Sequence, residues 1–257
     1  MGEVDPFREP ADDAGGAATL RANLDQLALL SIGTLPLPEL LGRVAEYAVA
    51  SIPGADGAGV TLMESGQPDV LAASTDFVAE VDAIQYGLGE GPCISAARDR
   101  CTIRSGSLDD TARWPTFSPR VVSLGVHSVL SLPMIVDDET VGAINVYAHR
   151  PNAFTDLAQQ FGEQFAQPAA VASYNALVVH RARRLAEQLQ DALTQQAVIE
   201  QAVGVLMSTR TIDAEQARHA LQVVSDSQHA PLAEVAAQVV ADTATSTRSE
   251  PAGPDGS

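Results

Sequence analysis

A long helical stripe in the C-terminal half constrains the fold more than any other feature of the chain. From Thr155 the pattern is helical to about residue 208, and from Val178 onward apolar side chains recur at alternating steps of four and three. This 3.5-residue spacing is typical of a coiled-coil seam. The stripe consists of Val178, Ala182, Leu185, Leu189, Ala192, Gln196, Ile199, Val203 and Leu206.

The stripe allows two interpretations, a helix packed within its own chain or a parallel helical homodimer. Two short helices alone do not bury so long and narrow a stripe, so we favour the dimer. Gln196 in the seam would fix the register at a small cost in stability. Thr155 is predicted to cap the start of the helix, and Pro168 is predicted to kink it.

Two short amphipathic helices are predicted after the stripe. Asp213, with Gln216 three residues later, forms a capping-box-like start, and Pro231 suits the first turn of the last helix. The three helices can bury one another only by closing on one small core. The apolar positions of the two short helices are Ala217, Ala220, Leu221 and Val224, then Leu232, Val235, Ala236, Val239 and Val240.

The first part of the chain is predicted to be α+β, with helices flanking an antiparallel sheet. Leu20, Leu24, Leu27 and Ser31 have helical spacing, and a second helix ends before Pro53-Gly54. Period-two alternation predicts the strands, and Asp137–Thr140 is a hairpin signal. The predicted strands are 57–63 and 70–74 around the turn Glu64-Ser65-Gly66, followed by 127–136 and 141–149.

Five motifs stand out in this first part of the chain. They are AASTD at 72–76, QYGLGEGPC at 85–93, RWPTF at 113–117, GVHSVLSLPM at 125–134 and VGAINVYAHRPNAF at 141–154. Together they resemble GAF sensor domains of the kind commonly fused to ANTAR modules.

The end of the stripe, in the stretch QQAVIEQAVGVLM that ends at Met207, resembles the ANTAR module together with the two helices after it. ANTAR modules are three-helix RNA-binding antitermination domains. The residues that carry this resemblance are Ile199, Ala202, Gly204, Leu206 and Met207.

The two resemblances imply an α+β GAF domain, then a long connecting helix and a small all-α three-helix ANTAR domain. The Gly-rich loop at 85–93 is predicted to be a tight turn with positive φ. The predicted divisions are a disordered tail at 1–16, the GAF domain at 17–178, a connecting coiled coil at 179–195, the ANTAR domain at 185–242, which overlaps the connecting helix, and a disordered tail at 243–257.

The GAF resemblance implies a sensor pocket between the sheet and the loops that cover it. No catalytic set, no metal-ligand spacing among the five His and no cofactor are predicted. The signal at this pocket is an unknown small molecule or protein. The candidate lining residues are Tyr86, Glu90, Cys93, Arg104, His127, Asn145 and Tyr147.

Cys93 has two interpretations, a redox-sensing or ligand-attaching thiol and a small buried residue at a helix start. We favour the buried residue. Cys101 is predicted at the start of a strand, in the core, and Trp114 is predicted to be a core residue.

The net negative charge of the chain is unfavourable for RNA binding. The 257 residues include 33 acidic and 15 basic side chains, the bases are all Arg, and the net charge is −18. Phosphate contacts must therefore come from a local cluster. Cations typical of ANTAR modules are replaced by Gln196, Val203 and Gln222, and restoring Lys at 203 and Arg at 222 should strengthen RNA binding if those positions face RNA. The candidate RNA-binding residues are Arg181, Arg183, Arg184, Arg210 and Arg218.

The sequence therefore favours a signal-responsive transcription regulator whose ANTAR module binds RNA leader hairpins and antagonises terminator formation. The alternative is a protein-interaction or dimerisation module that has lost RNA binding. A thiol reductase using Cys93 and Cys101 is disfavoured, so we expect no enzymatic activity. With no long apolar run and no secretion signal at the start of the chain, we expect a cytoplasmic homodimer without a membrane span.

Overall fold

The computed structural model describes residues 11–30, 35–64 and 67–248 of the chain. The chain divides between His180 and Arg181 into two compact units. Three predictions fall wholly or partly outside the described residues. They concern Ser31, the turn at 64–66, and the tails predicted at 1–16 and 243–257, of which residues 1–10 and 249–257 are not described.

The element order confirms the α+β domain, the long helix and the two short helices. In chain order the elements are α1 (Ala11–Leu30), α2 (Leu37–Ser51), β1 (Gly57–Glu64), β2 (Gln67–Ala73), α3 (Asp76–Leu88), α4 (Pro92–Asp99), β3 (Ile103–Ser105), α5 (Phe117–Val122), β4 (Ser128–Val136), β5 (Glu139–Ala148), α6 (Asp156–Arg210), α7 (Ala214–Gln228) and α8 (Leu232–Arg248).

The five strands form one sheet in the order β2-β1-β5-β4-β3, and every neighbouring pair is antiparallel. The hairpin between β4 and β5 turns at Asp137 and Asp138, whose φ values are 49° and 62°. Positive φ at two consecutive residues is typical of the two-residue type I′ turn, whose twist matches that of the paired strands. The predicted hairpin is thus confirmed, with Val136 opposite Glu139.

The sheet separates two cores because successive side chains on a strand point to opposite faces. On one face, α1, α2 and the first part of α6 pack against the strands, as Val44, Phe165 and Ile144 illustrate. On the other face, α3, α4 and α5 pack against the neighbouring strand positions, including Val129 and Tyr147. Asn145 and Tyr147 therefore point away from the face that receives Ile144.

The second unit closes on a small aliphatic core. Ala202, Val203 and Leu206 of α6 pack with Leu221 of α7 and Ala236 of α8. Asp213 accepts from the Gln216 backbone N–H at 2.8 Å while the Gln216 side chain accepts from the Asp213 N–H at 3.2 Å, so the capping box is confirmed.

The stripe on α6 consequently ends earlier than its spacing predicts. Val203 and Leu206 are only 3% and 7% exposed, because α7 and α8 cover them within their own unit. From 181 to 197, by contrast, every residue is exposed. The assignment of Val203 and Leu206 to a dimer seam is therefore wrong, and the stripe that stays uncovered runs from Val178 to Gln196.

Several local predictions have clear outcomes. The Thr155 hydroxyl accepts from the Ala158 N–H at 3.3 Å, which confirms the cap of α6, and the helix continues through Pro168. Trp114 is buried, as predicted, and its indole Nε1 donates to the Ser95 hydroxyl at 3.2 Å. Cys101 is exposed, contrary to the prediction, because β3 begins only at Ile103.

Two helices extend into segments predicted to be disordered tails. Helix α1 begins at Ala11, inside the segment predicted to be disordered, and α8 continues to Arg248. Leu20 and Leu27 are buried against the core, which gives α1 a packing partner that its local sequence does not reveal.

Candidate functional site

A buried polar cluster lies between the sheet and helices α3 and α4. Thr61, Ser131, Asn145 and Tyr147 occupy alternate strand positions on this face of the sheet, and none of them is measurably exposed. Helix α3 supplies Asp82 and Gln85, and α4 supplies Cys93, all equally buried or nearly so.

Asp82 is the centre of one half of the cluster. Its Oδ1 atom accepts from the Tyr147 hydroxyl at 2.7 Å and from the Asn145 amide at 3.3 Å. Asn145 is itself held by the Ser131 hydroxyl, which donates to its Oδ1 at 2.9 Å. The strands thus position the amide and the phenol that hold the Asp82 carboxyl.

Tyr86 and Cys93 form the other half. The Tyr86 hydroxyl donates to the Thr61 hydroxyl at 2.6 Å and lies 3.0 Å from the Cys93 sulfur. The Cys93 backbone N–H donates to the Gln85 side-chain oxygen at 3.0 Å. The loop between the two helices passes through Gly89 and Gly91, whose φ values of 64° and 153° confirm the predicted positive-φ turn.

Burial controls the protonation of this cluster. Desolvation raises the pKa of Asp82 to about 7, although hydrogen bonds from Tyr147 and Asn145 oppose the shift. Desolvation also raises the pKa of Cys93 to about 12. At neutral pH Cys93 is therefore a thiol, which is the unreactive form of cysteine.

A cavity of about 330 Å³ lies beside the cluster, between α3 and β2. Its lining comprises Pro68, Leu71, Ala72, Ala73, Ala79, Asp82, Ala83 and Tyr86. A second cavity of about 450 Å³ shares Pro68 and Tyr86 with the first and extends toward Ile94 and Arg98 of α4.

The structure brings four of the seven predicted pocket residues together, namely Tyr86, Cys93, Asn145 and Tyr147. The other three lie elsewhere and have their own partners.

Glu90 accepts from the backbone N–H groups of Thr116 and Phe117 at 2.8 and 2.9 Å, and these bonds lower its pKa. Arg104 is exposed and pairs with Asp156 at 2.8 Å. His127 Nδ1 lies 3.4 Å from the Asp109 carboxylate. Sequence spacing places all three near the sheet but does not say which way each one points.

Sequence reasoning missed Asp82, the carboxyl group that Asn145 and Tyr147 both contact. A signal was present, because Asp82 shares a helical face with Val78, Val81 and Gln85 at steps of three and four. An acidic residue within an apolar helical face indicates a buried polar group. Gln85, also on that face, was predicted as the first residue of the Gly-rich loop.

The candidate RNA-binding arginines lie on the exposed surface of the second unit. Arg181, Arg183, Arg184 and Arg210 are exposed residues of α6. Arg218 of α7 pairs with Glu200 of α6 at 2.9 Å.

Glu200 has a second partner, because the Gln196 amide donates to the same carboxylate oxygen at 2.6 Å. Gln222, exposed on α7, donates to Asp226 at 2.9 Å. The positions where ANTAR modules typically carry cations therefore take part in polar contacts within the domain or, for Val203, in its core.

Gly204 has no packing reason within its own unit. A Cβ atom at this position would meet nothing within 4 Å, and the residue is exposed near the C-terminal end of α6. Gly in a helix interior costs about 0.5–1 kcal/mol relative to Ala. The adjacent turn of the helix carries Met207, an apolar side chain that is 39% exposed.

Within the described ranges, no group of three or more His, Cys, Asp or Glu side chains is arranged to hold a metal ion. No helix in the same part of the chain combines the length and apolar character that a membrane span requires.

Comparison with known proteins assigns both units. Among solved structures, the GAF domain of a phosphoenolpyruvate-protein phosphotransferase from Coxiella burnetii has a TM-score of 0.50 and 18% identity, covering 66% of this chain and 98% of that chain. The free methionine-R-sulfoxide reductase from Neisseria meningitidis has a TM-score of 0.49 and 14% identity, covering 70% and 99%. No curated protein sequence matches this chain.

The family comparison is more specific than these structural likenesses. Residues 34–172, which make up more than half of the chain, match the GAF domain, and residues 187–240 match the ANTAR domain. The chain therefore belongs to the GAF-domain family and, with its C-terminal ANTAR domain, is a signal-responsive regulator of the GAF–ANTAR type.

Proposed function

We propose that this regulator acts on transcription elongation by binding RNA leader hairpins through its ANTAR domain and opposing terminator formation. The observation that carries the proposal is the closed three-helix core within residues 187–240, which match the ANTAR domain. Ala202 and Leu206 of the ANTAR motif are buried in that core. Gly204 and Met207 lie on the surface and are available for contact.

Exposed arginines supply the positive charge that RNA phosphates require. Arg183, Arg184 and Arg210 are exposed, and arginine forms bidentate bonds to phosphate groups. The open surface at Gly204 supports the same role, because a glycine without internal neighbours lets another backbone approach α6 closely.

Recovery of RNA crosslinked to the protein in its own cell tests this proposal. Leader hairpins should be enriched, and a purified hairpin should bind with an affinity that falls as salt rises. Neutralising Arg210 and Arg218 to Gln should weaken binding by about 1–3 kcal/mol and reduce the salt dependence.

The matched control neutralises Arg43 and Arg120, which are exposed in the first unit, and changes the net charge equally. Its RNA affinity should stay near that of the wild type. Enrichment no better than background, or equal losses in both double variants, would contradict RNA binding by this domain.

Assembly through α6 is the second part of the proposal. Residues 181–197 are all exposed, although most of the stability of helices in proteins comes from packing of an apolar face. Val178, Leu185 and Leu189 are 48%, 57% and 57% exposed and share one stripe. A second copy of the chain, aligned in parallel, would cover this stripe and place two ANTAR domains on one dimer.

One observation favours the alternative, a protein-interaction module that has lost RNA binding. Glu200 neutralises Arg218, and Gln196 replaces a family cation beside it. If the crosslinking experiment fails while the dimer persists, the interaction module replaces the RNA-binding proposal.

We also propose that the protein is not an enzyme and acts in the cytoplasm. Cys93 is buried, and its raised pKa keeps it protonated, which suits a structural residue better than a nucleophile. Retained signal response in a Cys93→Ala variant would support this role, and its loss would contradict it.

A further inference from the structure

The cavity between α3 and β2 has an unusual lining. Ala79, Asp82, Ala83 and Tyr86 are spaced by three and four residues, so they share one face of α3. Of the eight lining residues, only Asp82 and Tyr86 carry polar side chains. The Tyr86 hydroxyl already contacts Thr61 and Cys93, which leaves Asp82 as the polar group available to an occupant.

The two oxygens of Asp82 have different surroundings. Oδ1 accepts both hydrogen bonds, from Tyr147 and Asn145. Among the hydrogen bonds of the described residues, none reaches Oδ2, and Asp82 is only 3% exposed. Gly59 lies directly against Oδ2, since a Cβ on that residue would collide with it. The missing side chain at Gly59 therefore leaves room for this oxygen.

Asp82 also lacks a cation. Among the described residues, no arginine or histidine pairs with its carboxyl, and its named neighbours are an amide and a phenol. A buried carboxylate without a counter-ion is costly, and the cost is relieved when a cation bonds to it. An anionic occupant would be repelled, and a purely apolar one would leave Oδ2 unbonded.

The size of the cavity limits the occupant to a small molecule. A volume of about 330 Å³ is near the lower end of the range of ligand sites. The alanine, leucine and proline side chains around it favour an apolar body. The net charge of −18 raises the local concentration of cations and lowers that of anions.

We propose that this cavity binds a small, largely apolar molecule that carries a protonated amine, whose ammonium N–H donates to Asp82 Oδ2. The inference rests on the proposed sensor role of the GAF domain and names the chemical class of its signal.

Benzylamine and benzyl alcohol form a matched probe pair, because they share an apolar ring and differ in charge. Each probe is titrated into the full chain, and binding is monitored by ligand-observed NMR to obtain both affinities. The measurement is made at about pH 8, where the Asp82 carboxyl is ionised. The amine should bind at least about tenfold more tightly than the alcohol, as expected of a hydrogen bond to a charged group.

Asp82→Asn should abolish this preference, because the amide oxygen can still accept from Tyr147 and Asn145 but carries no charge. Glu80→Gln is the matched control, since Glu80 is exposed on the same helix and outside the cavity lining. Equal binding of the two probes, no binding of either probe, or an unchanged preference in Asp82→Asn would overturn the inference.

A second variant tests the same inference if Asp82→Asn fails to fold. Ala83 is exposed at the edge of the cavity, and Ala83→Leu fills it while leaving Asp82 in place. This variant should lose benzylamine binding, and retention of binding would overturn the inference. RNA affinity should be measured on the same samples, so that the two proposals can be tested separately. A protein that prefers the amine but binds no RNA would contradict RNA binding by the ANTAR domain and leave the cavity inference intact.

Discussion

The two units of this chain build their interiors in opposite ways. The sensor unit buries a connected set of polar side chains, including Asp82, Asn145 and Tyr147, between its sheet and α3. The ANTAR unit has an aliphatic core. Among its described residues, only Ser225 is both polar and buried. The difference follows from the number of layers in each unit.

A sheet covered by helices on both faces has two cores. One core of the sensor unit is apolar and supports the fold, so the other can accommodate polar groups beside a cavity. Three short helices enclose one small core, and each polar group placed there would remove a large share of its stabilisation. This difference supports the proposals of a ligand site in the first unit and of surface contacts in the second.

Disruption of the α6 stripe should have the largest effect. Leu185→Asp with Leu189→Asp places four charges in the desolvated seam of a dimer, which should leave only monomers at micromolar concentration. Light scattering measures the change. Gln190→Asp with Thr194→Asp adds the same charge outside the stripe and should remain dimeric. A monomeric wild type at micromolar concentration would refute the dimer.

A charge in the ANTAR core should have the next largest effect. Val203→Lys buries an unpaired ammonium and should lower the free energy of unfolding of this unit by about 3–5 kcal/mol. Gln222→Arg, on the exposed face of α7, should change stability by less than about 0.5 kcal/mol and strengthen any RNA binding.

Two spectroscopic signals separate the units in this experiment. Trp114 is the sole tryptophan, so fluorescence reports the sensor unit, while helical circular dichroism reports both units. Val203→Lys should therefore shift part of the dichroism transition in urea and leave the fluorescence midpoint unchanged. An unshifted dichroism transition would contradict the buried position of Val203.

The polar cluster should give the sensor unit a pH-dependent stability. The folded state holds a proton on Asp82 up to about pH 7, whereas the unfolded chain releases it near 3.8. Over this window the unfolded state binds fewer protons, so the contribution of Asp82 to stability falls as pH rises. The expected slope is at most about 1.4 kcal/mol per pH unit.

The free energy of unfolding of the wild type and of Asp82→Asn can be measured at each pH by Trp114 fluorescence. The difference between the two proteins separates the contribution of Asp82 from that of the other carboxylates. The groups that face Asp82 are Tyr86, Cys93 and Tyr147, and their raised pKa values keep them neutral throughout the window. The stability difference should change between about pH 4 and pH 7 and become constant above it. A difference that stays constant across that range would contradict burial of the Asp82 carboxyl.

The smallest effect is expected at the cysteines. A thiol reagent should label Cys101 in the native protein and leave Cys93 unlabelled, because Cys93 is buried and protonated. In the Cys101→Ser variant the only remaining thiol is Cys93, so the reagent should not label this variant until the protein is denatured. Cys93→Ala should cost about 1 kcal/mol, since the Tyr86 hydroxyl keeps its bond to Thr61. Native labelling of Cys93 would show that the thiol is accessible.

Features with local causes were predictable from the sequence. The Asp137-Asp138 turn, the cap at Thr155 and the capping box at Asp213 depend on residues within a few positions of one another. The exposure of Cys101 was missed because it depends on where a three-residue strand begins, and strand ends are poorly marked in sequence.

The limits of the α6 stripe were harder to predict. Repeats of 3.5 and 3.6 residues differ by only about 20° over a heptad, so a few turns do not distinguish a dimer seam from a domain core. Val203 and Leu206 satisfy both patterns, and the contacts with α7 and α8 place them in the core.

By itself, the sequence determined the α+β and all-α parts of the chain, the two families and the positions of turns and caps, because these follow from periodicity, motifs and local hydrogen bonding. Tertiary structure decided which side chains share a site. Asp82 contacts residues more than sixty positions away, and Glu90, Arg104 and His127 point to other partners. Side-chain direction depends on strand register and helix packing, which no short stretch of sequence specifies.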